Sequence, residues 1–470
     1  LETPDIVAAR YTAKPVPADA GGASSGDAEE VREPVETGTV LNFGGGGFEA
    51  GTRVYAWANG EAREVSVNKE GVAESDFRVP EGETTVVIGW HKANGASAFR
   101  RISVRGMTKD ELRKHEAARA AQVSPALLER IGKAERSPLV EDGQVTFIYR
   151  GKAKRVEVVG DFTSWSPRRM VLDGVAGADV KYLTMTFADD ARVEYKFIAD
   201  GEWTGDPLSE RKLDNGVGGF NNFFTMPAYR PSAFAEAKWD LRGTIEKLDA
   251  PTALLEGGKR KLQVYLPPAY ARDSAARFPV LYLQDGAEYV TRARAAAIAD
   301  QLIAEGRVKP FIIVFVDPVN RFKEYWANDT FAAFMATELV PFIDARYRTR
   351  AERDARALMG ASLGGVISVW TALRHGDVFA RVAGQSTAFQ IDDERVVTSL
   401  AALAEMKRAR PLKFYFDVGL LEPIWKVNRR VRVMLEGKGY PVAYRETTAG
   451  HNWTNWRDQL AHAFNGVWAD

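Results

Sequence analysis

The chain has 470 residues, with 63 basic against 63 acidic side chains, five histidines and no cysteine. That balance removes the basic face that nucleic-acid binding needs for counterion release, and the missing cysteine excludes disulfide scaffolds, thiol nucleophiles, thiolate zinc sites and iron–sulfur clusters. At 45% apolar and 27% charged the composition is globular, the length suits about three domains, and no run approaches the ~18 apolar residues of a membrane span.

Residues 1–37 read as a flexible arm, because the stretch KPVPADAGGASSGDAEEVREPVET has almost nothing to bury. The first residue is Leu1 rather than methionine, which together with the domain order leads us to expect an exported protein, periplasmic or secreted. From 38 to 106 the runs TVLNF, RVYAWA, EVSV, TTVVIGW and FRRISV alternate with Gly-rich and Asn-Gly turns. They predict a small β-sandwich, a spacer or docking domain without chemistry. The period then changes, and residues 107–136 form a helical linker in two pieces. Thr108 and Glu111 are spaced as a capping box before the first, and Ser124 with Pro125 opens the second. His115 falls on the charged face of the first piece and reads as a solvated residue.

Residues 137–231 form a second β unit, with the runs QVTFIYR, RVEVVGDF, YLTMTF, RVEYKFIADGEW and NNFFTMP. Within it, VEVVGDFTSW, EYKFIADGEWTGDP and GFNNFFTM resemble the glycogen-binding module of AMP-activated kinase β subunits and the sandwich preceding the barrel in branching enzymes. The N-terminal domain of enterochelin esterases is also similar. The resemblance implies an Ig-like, early-set sandwich with a sugar site, in which Trp165 and Trp203 stack on sugar faces while Lys196 and Asn222 bond the hydroxyls. Aromatic plates suit sugars because the axial C–H face is apolar and the rim is polar. The plainer reading of the same residues is a scaffold whose tryptophans pack against protein.

Over 240–470 strand and helix alternate, which argues a mostly parallel sheet with crossover helices. KLQVYLP, FPVLYLQ, FIIVFVD, RALMG, VAGQS, KFYFDVG and PVAYRETT are the strands, and stretches such as TFAAFMATELVPFIDARYR are helical. In this order they predict an α/β-hydrolase domain. GASLGG at 360–365 follows a strand and precedes an apolar helix, the context of a G-x-S-x-G nucleophile elbow that exposes Ser362 above the sheet. The serine needs a base. His91 and His115 lie upstream, His375 ends the elbow's own helix, and His462 sits within the last helix, which leaves His451 on the loop after the last strand. The order Ser, acid, His asks for a carboxylate after KFYFDVG. Glu422 on the following loop is preferred, with Asp417 inside the strand as its rival. The oxyanion hole takes the Leu363 N–H and a second from the loop after YLQ, Gly286 or Ala287.

FPVLYLQDGAEY, DPVNRFKEY, GASLGG, DVGLLEP and AGHNWTNWRDQL make residues 250–470 similar to the enterochelin-esterase and feruloyl-esterase-like group of α/β-hydrolases. The resemblance implies a serine esterase with Glu422 as its acid and no metal or cofactor. It also places Arg321 and Glu324 at the cleft, where they hold a polar group of the substrate or tie the loop. Trp425 and Trp453 lie near the triad loops and could flank an aromatic acid, whereas Trp456, Leu460 and Phe464 recur at helical spacing and read as core. Feruloyl or acetyl esters of plant polysaccharide, or a small-molecule ester, are the expected substrates. The alternatives are a siderophore trilactone esterase, an acyltransferase of similar fold, and a non-catalytic carbohydrate-binding protein.

Overall fold

The computed structural model describes residues 6–7, 29–31, 35–37, 40–45, 53–58, 61–67, 73–91, 97–111, 114 and 124–468. The last range lacks 167–169, 176, 217, 237–240, 391–395, 398 and 400–410. Most of the arm read over 1–37, and His115, lie outside the described residues. The contacts divide the chain into two compact units, Leu1–Ala188 with Val193–Met226, and Asp189–Arg192 with Pro227–Asp470.

In the first unit the described strands fall into four sheets. Val40–Gly45 pairs with Ile6–Val7 and Ala73–Arg78, and Gly82–His91 lies between Ser97–Met107 and Arg53–Ala58 in a six-stranded sheet. Thus the runs read over 38–106 are strands, with Ala73–Arg78 added. Both expected helix starts are present. Thr108 and Glu111 exchange capping bonds at 2.9 and 3.3 Å, and Ser124 Oγ accepts from Leu127 N–H at 3.1 Å before the helix Pro125–Lys133. The two further sheets are built on Gln144–Arg150 and on Arg192–Ala199. Phe147, Tyr195 and Phe224 pack edge to face among their strands, and the buried Tyr195 hydroxyl donates to Asp206 at 2.6 Å. The sequence reading divides this region into two sandwiches, whereas contact density gathers it into one unit.

The second unit holds an eight-stranded sheet: β1 Thr244–Pro251, β2 Lys259–Leu266, β3 Val280–Gln284, β4 Ile312–Val316, β5 Arg356–Ala361, β6 Arg381–Gln385, β7 Lys413–Gly419 and β8 Val442–Thr447. Their spatial order is β1-β2-β4-β3-β5-β6-β7-β8. The β1–β2 and β2–β4 pairs are antiparallel and the other pairs are parallel. β3 and β4 are buried along their whole length, which is why both read as unbroken apolar runs. Alternate residues serve opposite faces. Val280 and Tyr282 pack with Val366, Ile367 and Trp370 of α3 (Leu363–Arg374), and Leu281 and Leu283 pack with Leu460 and Phe464 of α5 (Trp453–Trp468). Three further helices bear on the site and its faces: α1 (Gly286–Thr291), α2 (Ala295–Ala304) and α4 (Trp425–Gly437).

The stretch expected as one helix before β5 is helical as far as Arg346 but changes kind. Asp329–Ala333 is α, Phe334–Leu339 is a π turn, and Val340–Arg346 is α again. Pro341 carries no N–H, so a donor is lost from the i→i−4 ladder. The adjacent Val340 N–H reaches back to Met335 O, the wider i−5 spacing.

Candidate active site

The candidate residues follow the C-terminal ends of successive strands. Asp285 and Gly286 come after β3, Arg321 after β4, Ser362 after β5, Ser386 after β6, Glu422 after β7 and His451 after β8. This is the edge at which open α/β sheets bind their ligands.

Ser362 stands between β5 and α3 at φ 55° and ψ −120°, a backbone region costly for any residue with a side chain. Its N–H donates to Gln385 O at 2.9 Å, and its carbonyl accepts from Val366 and Ala388 at 3.2 and 3.3 Å. Glycines let the turn close. A Cβ on Gly360 would overlap the Gly364 backbone, and one on Gly364 would lie 2.9 Å from Asp285 Oδ2. Leu363, the first residue of α3, holds one of the N–H groups that a helix start leaves unpaired.

His451 Nδ1 lies 2.6 Å from Glu422 Oε2. The imidazole is partly exposed and the carboxylate side chain fully buried. The other carboxylate oxygen, Oε1, accepts from Ser386 Oγ at 2.6 Å and Gly419 N–H at 2.5 Å. A Cβ on Gly419 would stand 2.8 Å from Glu422 Oε1, so this approach requires a glycine. Asp417, the rival acid, is fully buried within β7 and its Oδ2 takes a hydrogen bond from Gln385 Nε2 at 3.0 Å. Burial pushes its pKa up to about 7 against the bond from Gln385, and the Glu422 charge adds to the rise. Of the other histidines, His375 caps the end of α3. His462 is exposed on α5, its pKa held down by desolvation and by Arg445 and Arg307.

On the loop after β3, Asp285 adopts φ 55° just before α1. Ala287 N–H is spent on Asp317 Oδ1 at 2.7 Å, whereas Gly286 opens the helix, a position whose N–H has no intrahelical acceptor. A Cβ on Gly286 would come within 2.7 Å of the Phe315 backbone. Arg321 and Glu324, read from sequence as a pair, take different partners. Arg321 forks onto Asp285 with two bonds of 2.8 Å and reaches the Ala361 carbonyl at 3.3 Å. Glu324 is buried against Arg260 at 3.0 Å and accepts from Val319 N–H at 3.1 Å. Both therefore tie the loop after β4. Burial opposes the Arg321 charge, but Asp285 outweighs it and leaves the guanidinium more basic than usual.

Trp453 is half-buried and stands edge-on to Tyr289 and Trp456, with centroids 5.1 and 4.9 Å away. Trp425 begins α4, with the Arg429 guanidinium 4.6 Å from its ring centroid. The pattern of residues had singled out neither Ser386 nor Gln385. Their importance comes from partners far apart in the chain, which no local motif marks.

In the first unit, Trp203 is 50% exposed. Trp165 is half-buried and its indole donates to Asp161 at 3.3 Å. Lys196 and Lys212 lie over the exposed Phe220 ring, 5.4 and 4.8 Å from its centroid. The expectation for Asn222 is corrected. It is fully buried, its oxygen accepts from Asp206 N–H at 2.7 Å, and its amide donates to the Ser209 and Arg211 carbonyls. No part of it is left for a sugar.

Residues 253–467 match the protein family described as "Putative esterase", and residues 143–230 match the "Glycogen recognition site of AMP-activated protein kinase". The chain is 34% identical over 214 residues to an endo-1,4-β-xylanase/feruloyl esterase of Xylanibacter ruminicola, covering 38% of this chain and 29% of that protein. It is 25% identical over 164 residues to the uncharacterized protein YbbA of Bacillus subtilis, covering 32% and 64%. The matches therefore span less than two thirds of either relative. Among solved structures, the enterobactin esterase of Shigella flexneri superposes with a TM-score of 0.58 at 19% identity, over 69% of this chain and 92% of that one. At that identity the likeness establishes a shared fold.

Proposed function

Because residues 253–467 form an esterase-family domain, we propose that the protein is a serine carboxylic-ester hydrolase working through an acyl-serine. Ser362 is the nucleophile, His451 the general base and then acid, and Glu422 the carboxylate that orients it. The observation that carries this reading is the 2.6 Å bond between His451 Nδ1 and Glu422 at the sheet edge that also bears the strained Ser362 turn. A proton on Nδ1, donated to Glu422, leaves the Nε2 lone pair to receive the serine proton. The buried carboxylate then stabilises the imidazolium formed during attack. The N–H groups of Leu363 and Gly286 meet the oxyanion, and the imidazolium returns its proton to the leaving alkoxide. Water repeats the cycle on the acyl-enzyme. Proton transfer and covalent attack are all carried by side chains, so the chemistry asks for no cofactor.

The substrates we infer are feruloyl or acetyl esters of plant polysaccharide. Support comes from the glycogen-recognition match, the relative named as both xylanase and feruloyl esterase, and the exposed Trp203. Trp453, half-buried just after the His451 loop, offers an aromatic face to a feruloyl ring. A trilactone siderophore would ask for basic groups facing catecholate oxygens, and three of the five Arg321 N–H donors, those of Nε and Nη2, are spent on Asp285 and Ala361. Polysaccharides do not cross membranes, so this substrate class also carries the expectation of export. Among the described residues no helix is long and apolar enough to span a membrane.

The test is a panel of p-nitrophenyl acetate, methyl ferulate, acetylated xylan and ferric enterobactin, given to the wild type and to Ser362→Ala. Turnover of the first three that disappears in the variant is the expected result. Preference for ferric enterobactin would replace the substrate class, and failure on all four would remove the esterase reading.

A further inference from the structure

The Ser–His–Glu reading leaves open what aims the carboxylate. Glu422 meets His451 through Oε2, and its plane is fixed only if Oε1 is also held. Oε1 takes two donors, Ser386 Oγ and Gly419 N–H. Ser386 Oγ in turn accepts the Trp456 indole N–H at 2.9 Å. Ser386, Glu422 and Trp456 are 0%, 2% and 6% exposed, so water does not substitute for any of these bonds. An indole nitrogen can only donate and a hydroxyl has a single proton. With its oxygen accepting from Trp456, Ser386 has that proton left for Glu422. Indole, hydroxyl, carboxylate and imidazole thus form one directed chain. The Trp456 ring closes it from the other side, edge-on to the His451 ring with centroids 5.0 Å apart.

The backbone at Ser386 points the same way. Its φ is 44°, a left-handed conformation unfavourable for serine, and its N–H is tied to Asp417 O at 2.7 Å. Strain held in place by surrounding bonds is found where a side chain must be aimed.

Resting on the Ser–His–Glu reading, we propose that Ser386 and Trp456 are positioning residues that act on the reaction through Glu422, fixing which oxygen and which orientation it presents to His451. Deleting the hydroxyl frees the carboxylate to rotate, which lowers the rate of the chemical step. It also removes a donor from Oε1 and concentrates charge on Oε2, so the resting imidazolium is better stabilised and the acid limb of kcat/KM moves to higher pH. Asp417, the other carboxyl whose charge reaches Glu422, stays as it is in these variants.

The variants are Ser386→Gly, since glycine accepts φ 44° without strain, and Trp456→Phe, which keeps a ring and removes the N–H. With p-nitrophenyl acetate, Ser386→Gly should lower kcat about 10–100-fold. KM should stay within about twofold, and the acid limb should rise by about half a pH unit or more. Trp456→Phe should move both in the same direction by less, and the double variant should be no worse than Ser386→Gly alone. In a Glu422→Gln background Ser386→Gly should add nothing. Proton NMR gives a readout that needs no substrate: the low-field resonance of the proton shared by His451 and Glu422 should shift in Ser386→Gly. Wild-type kcat, pH profile and low-field resonance in Ser386→Gly would overturn the proposal. So would a loss confined to KM, or one that adds in full to that of Glu422→Gln. Wild-type turnover by Glu422→Gln would instead remove the acid assignment itself, whereas an impaired Glu422→Gln beside a silent Ser386→Gly removes only the positioning role.

Discussion

Asp417 and Glu422 lie on one passage from strand to loop and meet opposite fates. Asp417, enclosed in β7, has its pKa lifted from 3.8 to about 7. Between those values the folded state binds the proton and the unfolded chain does not. Its contribution to stability is therefore complete below about pH 4 and lost as pH rises through about 7. The shift corresponds to at most about 4 kcal/mol. Thermal denaturation from pH 4 to pH 8 should show the wild type losing stability across that window and Asp417→Asn holding flatter; parallel curves would refute the burial argument. Activity should sort the two carboxyls the other way. Ser362→Ala should lose about 10⁵–10⁶-fold in kcat and Glu422→Gln about 10³–10⁴-fold, while Asp417→Asn stays within about tenfold of wild type. If Asp417→Asn costs more than Glu422→Gln in a folded protein, the acid has been misplaced. Sequence alone could not decide between them, because the choice turns on where β7 ends, and KFYFDVG is compatible with several exits. The places of Ser362 between β5 and α3 and of His451 after β8 were legible because each is marked locally, one by the elbow glycines and the other by its position just after the last strand.

At the scale of elements, the apolar runs disclosed the strands of the second unit because a strand covered on both faces has no polar alternation to obscure it. The helices before β5 were legible as helical but not as interrupted, since the π turn depends on Pro341 within an otherwise regular pattern. Gly419 shows how an element end can govern chemistry. It closes β7, donates to Glu422 and faces the loop before His451. A Cβ there would overlap the Ala449 carbonyl and crowd Glu422 Oε1. Gly419→Ala should push the acid loop and the histidine loop apart, costing about 1–3 kcal/mol in a urea melt and lowering kcat about tenfold or more. Unchanged kcat and midpoint would mean that the two loops adjust freely, contrary to the close packing described.

At the scale of the whole molecule, seven of the eight strands of the second unit, all but β1, were legible in the texture of residues 240–470, whereas the partition of the first unit was not. Short strands joined by turns do not announce which sheets share a core. The same unit carries the question of sugar binding, and the two tryptophans read there as sugar platforms, Trp165 and Trp203, give separate answers. Trp203 is half exposed, and an exposed indole is favoured where a ligand covers it. Trp165 is half-buried and hydrogen-bonded to Asp161, with its backbone at φ 59°, so part of its role is structural. Trp203→Ala should accordingly change stability by less than about 0.5 kcal/mol and leave p-nitrophenyl acetate turnover intact, while weakening retention on insoluble xylan or starch. Trp165→Ala should weaken retention and also cost about 1–3 kcal/mol, because it leaves a cavity and takes one donor from the buried Asp161, whose other oxygen keeps the Glu194 N–H. Affinity-gel electrophoresis separates these outcomes, since a sugar-binding protein is retarded by the polymer and a merely destabilised one is not. Equal mobility of the wild type and Trp203→Ala in both polymers would reduce the module to a scaffold, and the proposed ester substrate would then have to be recognised by the second unit alone.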